Sequence, residues 1–207
     1  MPAHLQRAHR HAVRPMQPVA RPGKVGFVPI YVALLRGINV GGSRPLKMAS
    51  LKTAFEQAGC TNVATYIQSG NVVVAHVEKS ESKLRDILEA AIAKAAGFDV
   101  DVVLRTRSEL AKVIANNPFA RAKPEQMHVF FLPSKPARDA LAALGAIDMK
   151  AFAPEAFTLK GREVYLFLPT GIGNSKLAVM LMRKLKDATA RNWRTTEKLV
   201  AMTSPAP

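Results

Sequence analysis

Residues 63–77 read V-A-T-Y-I-Q-S-G-N-V-V-V-A-H-V. Two strand-forming runs, 63–67 and 72–77, flank Gln68-Ser69-Gly70-Asn71, the residue types that a tight hairpin requires. What stands on either side decides the fold. Upstream, 28–36 is a continuous apolar run that reads as a buried strand. Pro45 suits the first turn of a helix, where no N–H is needed. Leu51, Ala54, Phe55 and Ala58 then recur at helical spacing, and Gly59 stops the helix. Downstream, Leu84, Ile87, Leu88, Ala91 and Ile92 line one face of a helix over 80–96, ended by Gly97. A strand follows at 100–104. The order is βαββαβ.

The order then nearly repeats. Thr106-x-x-Glu109 is a capping box opening a connecting helix that stops near Asn117-Pro118. A strand at 127–132 and a helix at 136–144 follow. Strands at 157–159 and 163–168 flank Lys160-Gly161-Arg162 as a second hairpin. A helix at 175–186 buries Leu177, Leu181 and Leu185, and a last short helix covers 195–202. The fold class is α+β, as two tandem ferredoxin-like (split βαβ) plaits with largely antiparallel sheets. The expected organisation is a flexible basic extension at 1–26, a βαββαβ plait at 27–106 and a βαββα plait with a C-terminal helix at 107–207. Within each plait the first and third strands are expected side by side and parallel, sending their outgoing loops to one end of the sheet.

Composition narrows the chemistry. The 207 residues carry 48% hydrophobic side chains, enough for a real core, and no apolar run long enough to span a membrane. A single cysteine, Cys60, excludes an internal disulfide and any multi-cysteine metal site, and fits a reducing, cytoplasmic setting. Net charge is +15. Residues 1–26 supply five of those charges and no acid, so the body keeps +10, concentrated after residue 160. Such a field attracts nucleic acid or phosphorylated metabolites. The extension lacks an apolar stretch, which argues against a secretory signal.

Four segments are candidate ligand sites. In the first, Arg36, Gly37, Asn39, Gly41, Gly42, Ser43, Arg44 and Lys47 leave a strand and enter a helix. There, backbone N–H groups and the helix dipole favour an anion. Gly37 and Gly42 have Walker A spacing, but Ser43-Arg44 stand where Lys-Ser or Lys-Thr belongs, so the motif is not met. In the second, Gln68, Ser69 and Asn71 offer paired hydrogen bonds if a cleft adjoins the hairpin. In the third, Gly171, Gly173, Asn174, Ser175 and Lys176 make another strand–glycine–helix junction with a cation, Asn174 or Ser175 being the N-cap by type. In the fourth, Arg191, Asn192 and Trp193 offer an aromatic platform for a base beside phosphate-binding cations. Each has a purely structural alternative: turn glycines, caps, and a buried tryptophan anchor.

Catalysis finds little support. His76 and His128 sit in strand runs without a spacing partner, and Cys60 has no cation nearby to make it a thiolate. Asp99 and Asp101 share a strand face but read as solvated acids. No metal or cofactor is expected.

The strings V-A-L-L-R-G-I-N-V-G-G (32–42), T-Y-I-Q-S-G-N-V-V (65–73), G-I-G-N-S-K-L (171–177) and T-A-R-N-W-R-T (189–195) occur in that order. Together they resemble the bacterial family known as domain of unknown function 1697, across residues 30–203. The resemblance implies a plait-like α+β fold and carries no activity, substrate or cofactor. The family's usual start lies near Tyr31, which marks 1–26 as an extension. The leading expectation is therefore a binder of a phosphate-bearing small ligand, a nucleotide or phosphometabolite, held between the two glycine loops. The alternatives are a nucleic-acid module using the basic C-terminal third, an enzyme acting on a phosphorylated substrate, and a protein–protein adaptor. Oligomeric state is not legible.

Overall fold

The structure, a computed structural model, describes residues 28–204; the basic extension at 1–26 lies outside them. The elements run β1 (Ile30–Leu35), α1 (Met48–Gln57), β2 (Thr61–Tyr66), β3 (Asn71–Ala75), α2 (Glu81–Ala96), β4 (Val102–Thr106) and α3 (Arg107–Ala115). They continue as β5 (Met127–Phe131), α4 (Arg138–Gly145), β6 (Ala156–Lys160), β7 (Glu163–Phe167), α5 (Lys176–Lys184), β8 (Thr189–Asn192) and α6 (Trp193–Met202).

The strands form two four-stranded antiparallel sheets, ordered β2-β3-β1-β4 and β6-β7-β5-β8. Two expectations are corrected here. First, β1 pairs with β3 antiparallel, Ile30 facing Ala75, and β5 with β7 likewise. A strand–helix–strand crossover followed by a hairpin reverses the chain an odd number of times between the first and third strands. Their outgoing loops therefore leave at opposite ends of the sheet. Second, the later half is βαββαβ, because Thr189–Asn192 pairs with β5 as an edge strand.

Alternation along the strands assigns the faces. On the first sheet, Ala33, Leu35, Val72 and Val74 pack under Leu51 and Phe55 of α1 and Leu84, Leu88 and Ile92 of α2. The opposite face, Val32, Leu34, Val73 and Val103, shares a core with Val129, Phe131 and Tyr165 of the second sheet. Leu110 and Val113 of α3 and Trp193 and Leu199 of α6 close the edges of that core. Phe130, Leu132, Val164 and Leu166 on the far face pack against Leu144 of α4 and Leu177 and Leu181 of α5. The two sheets thus face each other across one apolar layer, with a helix pair outside each.

Local signals set the helix ends. Thr106 and Glu109 form the reciprocal capping box at α3, Gly97 ends α2 at φ 77°, and Ser175 caps α5 by accepting from Ala178 N–H at 2.9 Å. Among the described residues, no helix is long and apolar enough to cross a membrane.

Candidate functional site

The first glycine loop folds on itself. Ser43 N–H donates to Val40 O at 3.0 Å across Gly41 (φ 56°) and Gly42 (φ 78°), the pair of positive φ values that a type I′ turn demands. Asn39 N–H donates to Arg44 O at 3.2 Å. The Asn39 side chain accepts from Leu46 N–H at 2.8 Å and donates to Leu46 O and Gln68 O, lashing the loop to the β2–β3 turn. Ser43 Oγ donates to Val40 O. Arg36 pairs with Asp101 at 2.7 Å, and the Arg44 guanidinium lies 5.0 Å over the Phe98 ring. The N–H groups of Asn39, Ser43 and Leu46 and the two arginines are thus engaged within the protein. Lys47 stands exposed at the start of α1 and makes no side-chain cap bond.

The β2–β3 turn is equally committed. Asn71 is fully buried, and its amide donates to Tyr66 O and Ser69 Oγ, both at 3.0 Å. Gly70 (φ 77°) admits no side chain: a Cβ there would stand 2.6 Å from Leu35 Cβ. Gln68 contributes its carbonyl to Asn39 and keeps its side chain exposed.

Arg191 joins these pieces from the other half of the chain. Its Nε donates to Asn71 Oδ1, its Nη1 to Thr189 Oγ1 and Ala190 O, and its Nη2 to Leu35 O, Ser69 O and Gly70 O. Among the described residues no carboxylate pairs with it, and its donors meet only neutral oxygens. Burial lowers its pKa to about 10, which leaves it protonated at neutral pH.

Sequence reasoning missed the counterpart. Arg105, fully buried in β4, donates through Nε to Glu163 at 2.8 Å and through Nη2 to Leu132 O and Arg162 O, with its guanidinium 5.6 Å from the Phe131 ring centroid. The two arginines hold matching positions. Arg105 faces Val32 in β1 and Arg191 faces Val129 in β5, and each reaches the end of the other half's first strand and its hairpin turn. A second bridge accompanies Arg105: Arg162 pairs with Glu81 and Glu109, each at 2.7 Å. The available signal was a lone Arg at the end of each half's last strand, each just before a helix cap.

Trp193 is corrected as a base platform. It is 4% exposed within the shared core, and its indole N–H donates to Glu197 at 2.8 Å, leaving no face for a base. Asn192 caps α6 by accepting from Thr195 N–H at 2.7 Å. His76 and His128 are core residues: His76 Nδ1 accepts from Glu78 N–H, and His128, with Nδ1 unpartnered among the described residues, is held below the usual imidazole range by burial. Burial pushes the Cys60 thiol up to about 11. Among the described residues, no group of three or more His, Cys, Asp or Glu is arranged to hold a metal.

The second glycine loop is different. Gly171 (φ 81°) turns the chain out of β7 into a 3-10 turn at Ile172–Asn174. Asn174 donates to Thr170 O at 3.4 Å. Ser175, 2% exposed, caps α5 and donates to Glu155 at 3.0 Å. Here the surface opens into two adjoining cavities of about 270 and 570 Å³, sharing Phe152, Asn174 and Lys176 in their walls. The larger adds Val179, Met180 and Arg183, so that 176, 179, 180 and 183 present one stripe of α5. Lys176 and Arg183 form no ion pair among the described residues. The walls of these cavities come from residues 151–183, with none from the first loop.

A family model described as "Protein of unknown function (DUF1697)" matches residues 28–165. Among solved structures, the chain is similar to the conserved bacterial protein SP0830 from Streptococcus pneumoniae. The TM-score is 0.70 at 21% identity, covering 85% of this chain and 98% of that one. No curated protein matches it.

Proposed function

We propose, for a chain that belongs to the DUF1697 family and takes no activity from it, that it binds a phosphate-bearing small ligand at the Gly171–Lys176 junction. One observation carries the reading: this glycine loop borders open cavities, and the two cations in their walls, Lys176 and Arg183, make no ion pair among the described residues. A phosphate group fits beside the start of α5, where Lys176 and the free N–H groups of the first turn supply positive potential. Arg183 lies two helical turns away, roughly 10 Å along the axis. Phe152, Val179 and Met180 between the cations suit an apolar moiety of the ligand. The first loop, Gln68, Asn71 and Arg191 serve this reading as scaffold.

Each half of the fold is read as a ferredoxin-like unit, supported by the shared strand order and the antiparallel pairing. Division into units near residues 27–106 and 107–207 rests on that repetition.

Isothermal titration with nucleotides and phosphorylated metabolites tests the function. Lys176→Ala and Arg183→Ala are each expected to weaken binding about tenfold, the loss of one charge-assisted contact. Absence of saturable binding across the panel, or binding untouched by both substitutions, refutes it.

A further inference from the structure

The two halves can be aligned residue by residue where they meet. Tyr66 faces Asn71 across its hairpin as Lys160 faces Glu163, and Asn71 and Glu163 are the acceptors of the two buried arginines. Thr106 and Asn192 follow those arginines and cap α3 and α6 through Glu109 N–H and Thr195 N–H. Counting along both helices pairs Lys112 with Lys198 and Asn116 with Met202. The seam between α3 and the β6–β7 hairpin therefore has a twin between α6 and the β2–β3 hairpin.

Only the first seam is basic. It opens as a cavity of about 470 Å³ whose walls include Lys112, Lys135, Lys160 and Arg162 together with Glu109 and Glu163. Both carboxylates are already engaged, Glu109 by Arg162 and Glu163 by Arg105. Arg162 is spent on Glu81, Glu109 and Pro133 O. Lys112, Lys135 and Lys160 pair with no carboxylate among the described residues, and Lys160 Nζ donates to the neutral Asn116 O at 2.8 Å. Leu132 and Leu35 are matching acceptors of the two arginines, so Lys135 matches Ile38; with Tyr66 in place of Lys160, the twin keeps one cation of the three, Lys198. The molecule thus builds the same joint once without the cluster. Packing does not demand the lysines, and their mutual repulsion is a cost that an anion would relieve.

We propose that this seam cavity binds a multiply charged phosphate anion, of the class of pyrophosphate and tripolyphosphate, through Lys112, Lys135 and Lys160. Ammonium groups act as compact point charges and suit a chain of phosphates that offers oxygens in many directions. The site shares no wall residue with the cleft at Lys176, so it stands or falls separately from the function proposed above.

The test is calorimetric titration of the full chain with orthophosphate, pyrophosphate and tripolyphosphate, at low and at physiological ionic strength. Affinity is expected to rise with anion charge, and to fall about tenfold or more in the Lys112→Gln/Lys135→Gln/Lys160→Gln variant. All three side chains are exposed, so this variant should keep the parent's thermal midpoint. Lys198→Gln at the twin seam should leave tripolyphosphate binding unchanged. No saturable binding of tripolyphosphate, an unaltered triple variant, or an equal loss in Lys198→Gln would each overturn the proposal. Displacement by a single-stranded oligonucleotide at equal phosphate concentration would overturn it in favour of a nucleic-acid groove.

Discussion

Replacing Arg191 with Met keeps most of the volume and removes every donor, so the acceptors show what is lost. Leu35 O still receives Thr189 Oγ1 at 3.2 Å, and Gly70 O still receives Leu35 N–H at 2.8 Å. Ser69 is exposed and Ala190 partly so, which lets water reach their carbonyls. Asn71 Oδ1, on a fully buried residue, is left without its donor. One orphaned buried acceptor costs about 1–3 kcal/mol, and losing charge-assisted bonds about as much again, partly offset by no longer burying a cation. A net loss of about 3 kcal/mol lowers the melting temperature by about 6–12 °C in a chain of this size. Scanning calorimetry of the full chain reads this directly. Adding Asn71→Leu to Arg191→Met should cost less than the sum of the two single changes, because the double variant no longer holds the orphaned Asn71 Oδ1, while each single change breaks the same Arg191–Asn71 bond. A melting shift under about 2 °C for Arg191→Met, or strict additivity in the pair, would refute the reasoning.

Other outcomes follow from the same geometry. Gly70→Ala combines a positive φ with a Cβ placed 2.6 Å from Leu35 Cβ, and thermal unfolding should register about 2–4 kcal/mol of destabilisation. Trp193→Ala should cost about 3–5 kcal/mol as a core cavity, whereas Trp193→Phe should lose about 1 kcal/mol with its bond to Glu197; oligonucleotide binding per folded molecule should not change. Burial holds the His128 pKa below its unfolded value of about 6.5, so on acidification the unfolded chain takes up the proton first. Its contribution is fully present above that pH and lost progressively below it. In denaturant titrations between pH 5 and 7, His128→Gln should flatten the slope, and an unchanged slope would exclude His128 as its source.

Periodic apolar spacing made most elements readable, because burial of one face is written into every third or second residue. Leu51, Ala54 and Phe55 are buried in α1, and Leu84, Leu88 and Ile92 in α2, on the stripes the sequence presents. The strand at Thr189–Asn192 escaped because its inward positions are Thr189 and Arg191, polar residues satisfied by Leu35, Ser69 and Asn71 on a distant segment. No local pattern announces such a partner. β4 was placed two residues early, at 100–104, for a similar reason, since Arg105 breaks the apolar run while lying wholly inside. In the candidate sites, residue types were legible and their commitments were not. The glycines, Asn39 and Ser43 of the first loop look the same in sequence whether they cradle an anion or bond to one another. The cavities beside Lys176 depend on Phe152 and Glu155, which no motif ties to it.

The paired arginines also impose an order on the birth of the molecule. Asn71 waits for a side chain that follows it by 120 residues. At common elongation rates that interval is about 6–24 s, far longer than a small sheet needs to form. During it the N-terminal half exposes a face of Val32, Leu34, Val73 and Val103 and a turn whose carbonyls lack their cation. Nascent chains stalled before residue 191 should therefore be open to proteases and holdases, and become resistant within a few residues of its emergence from the ribosome.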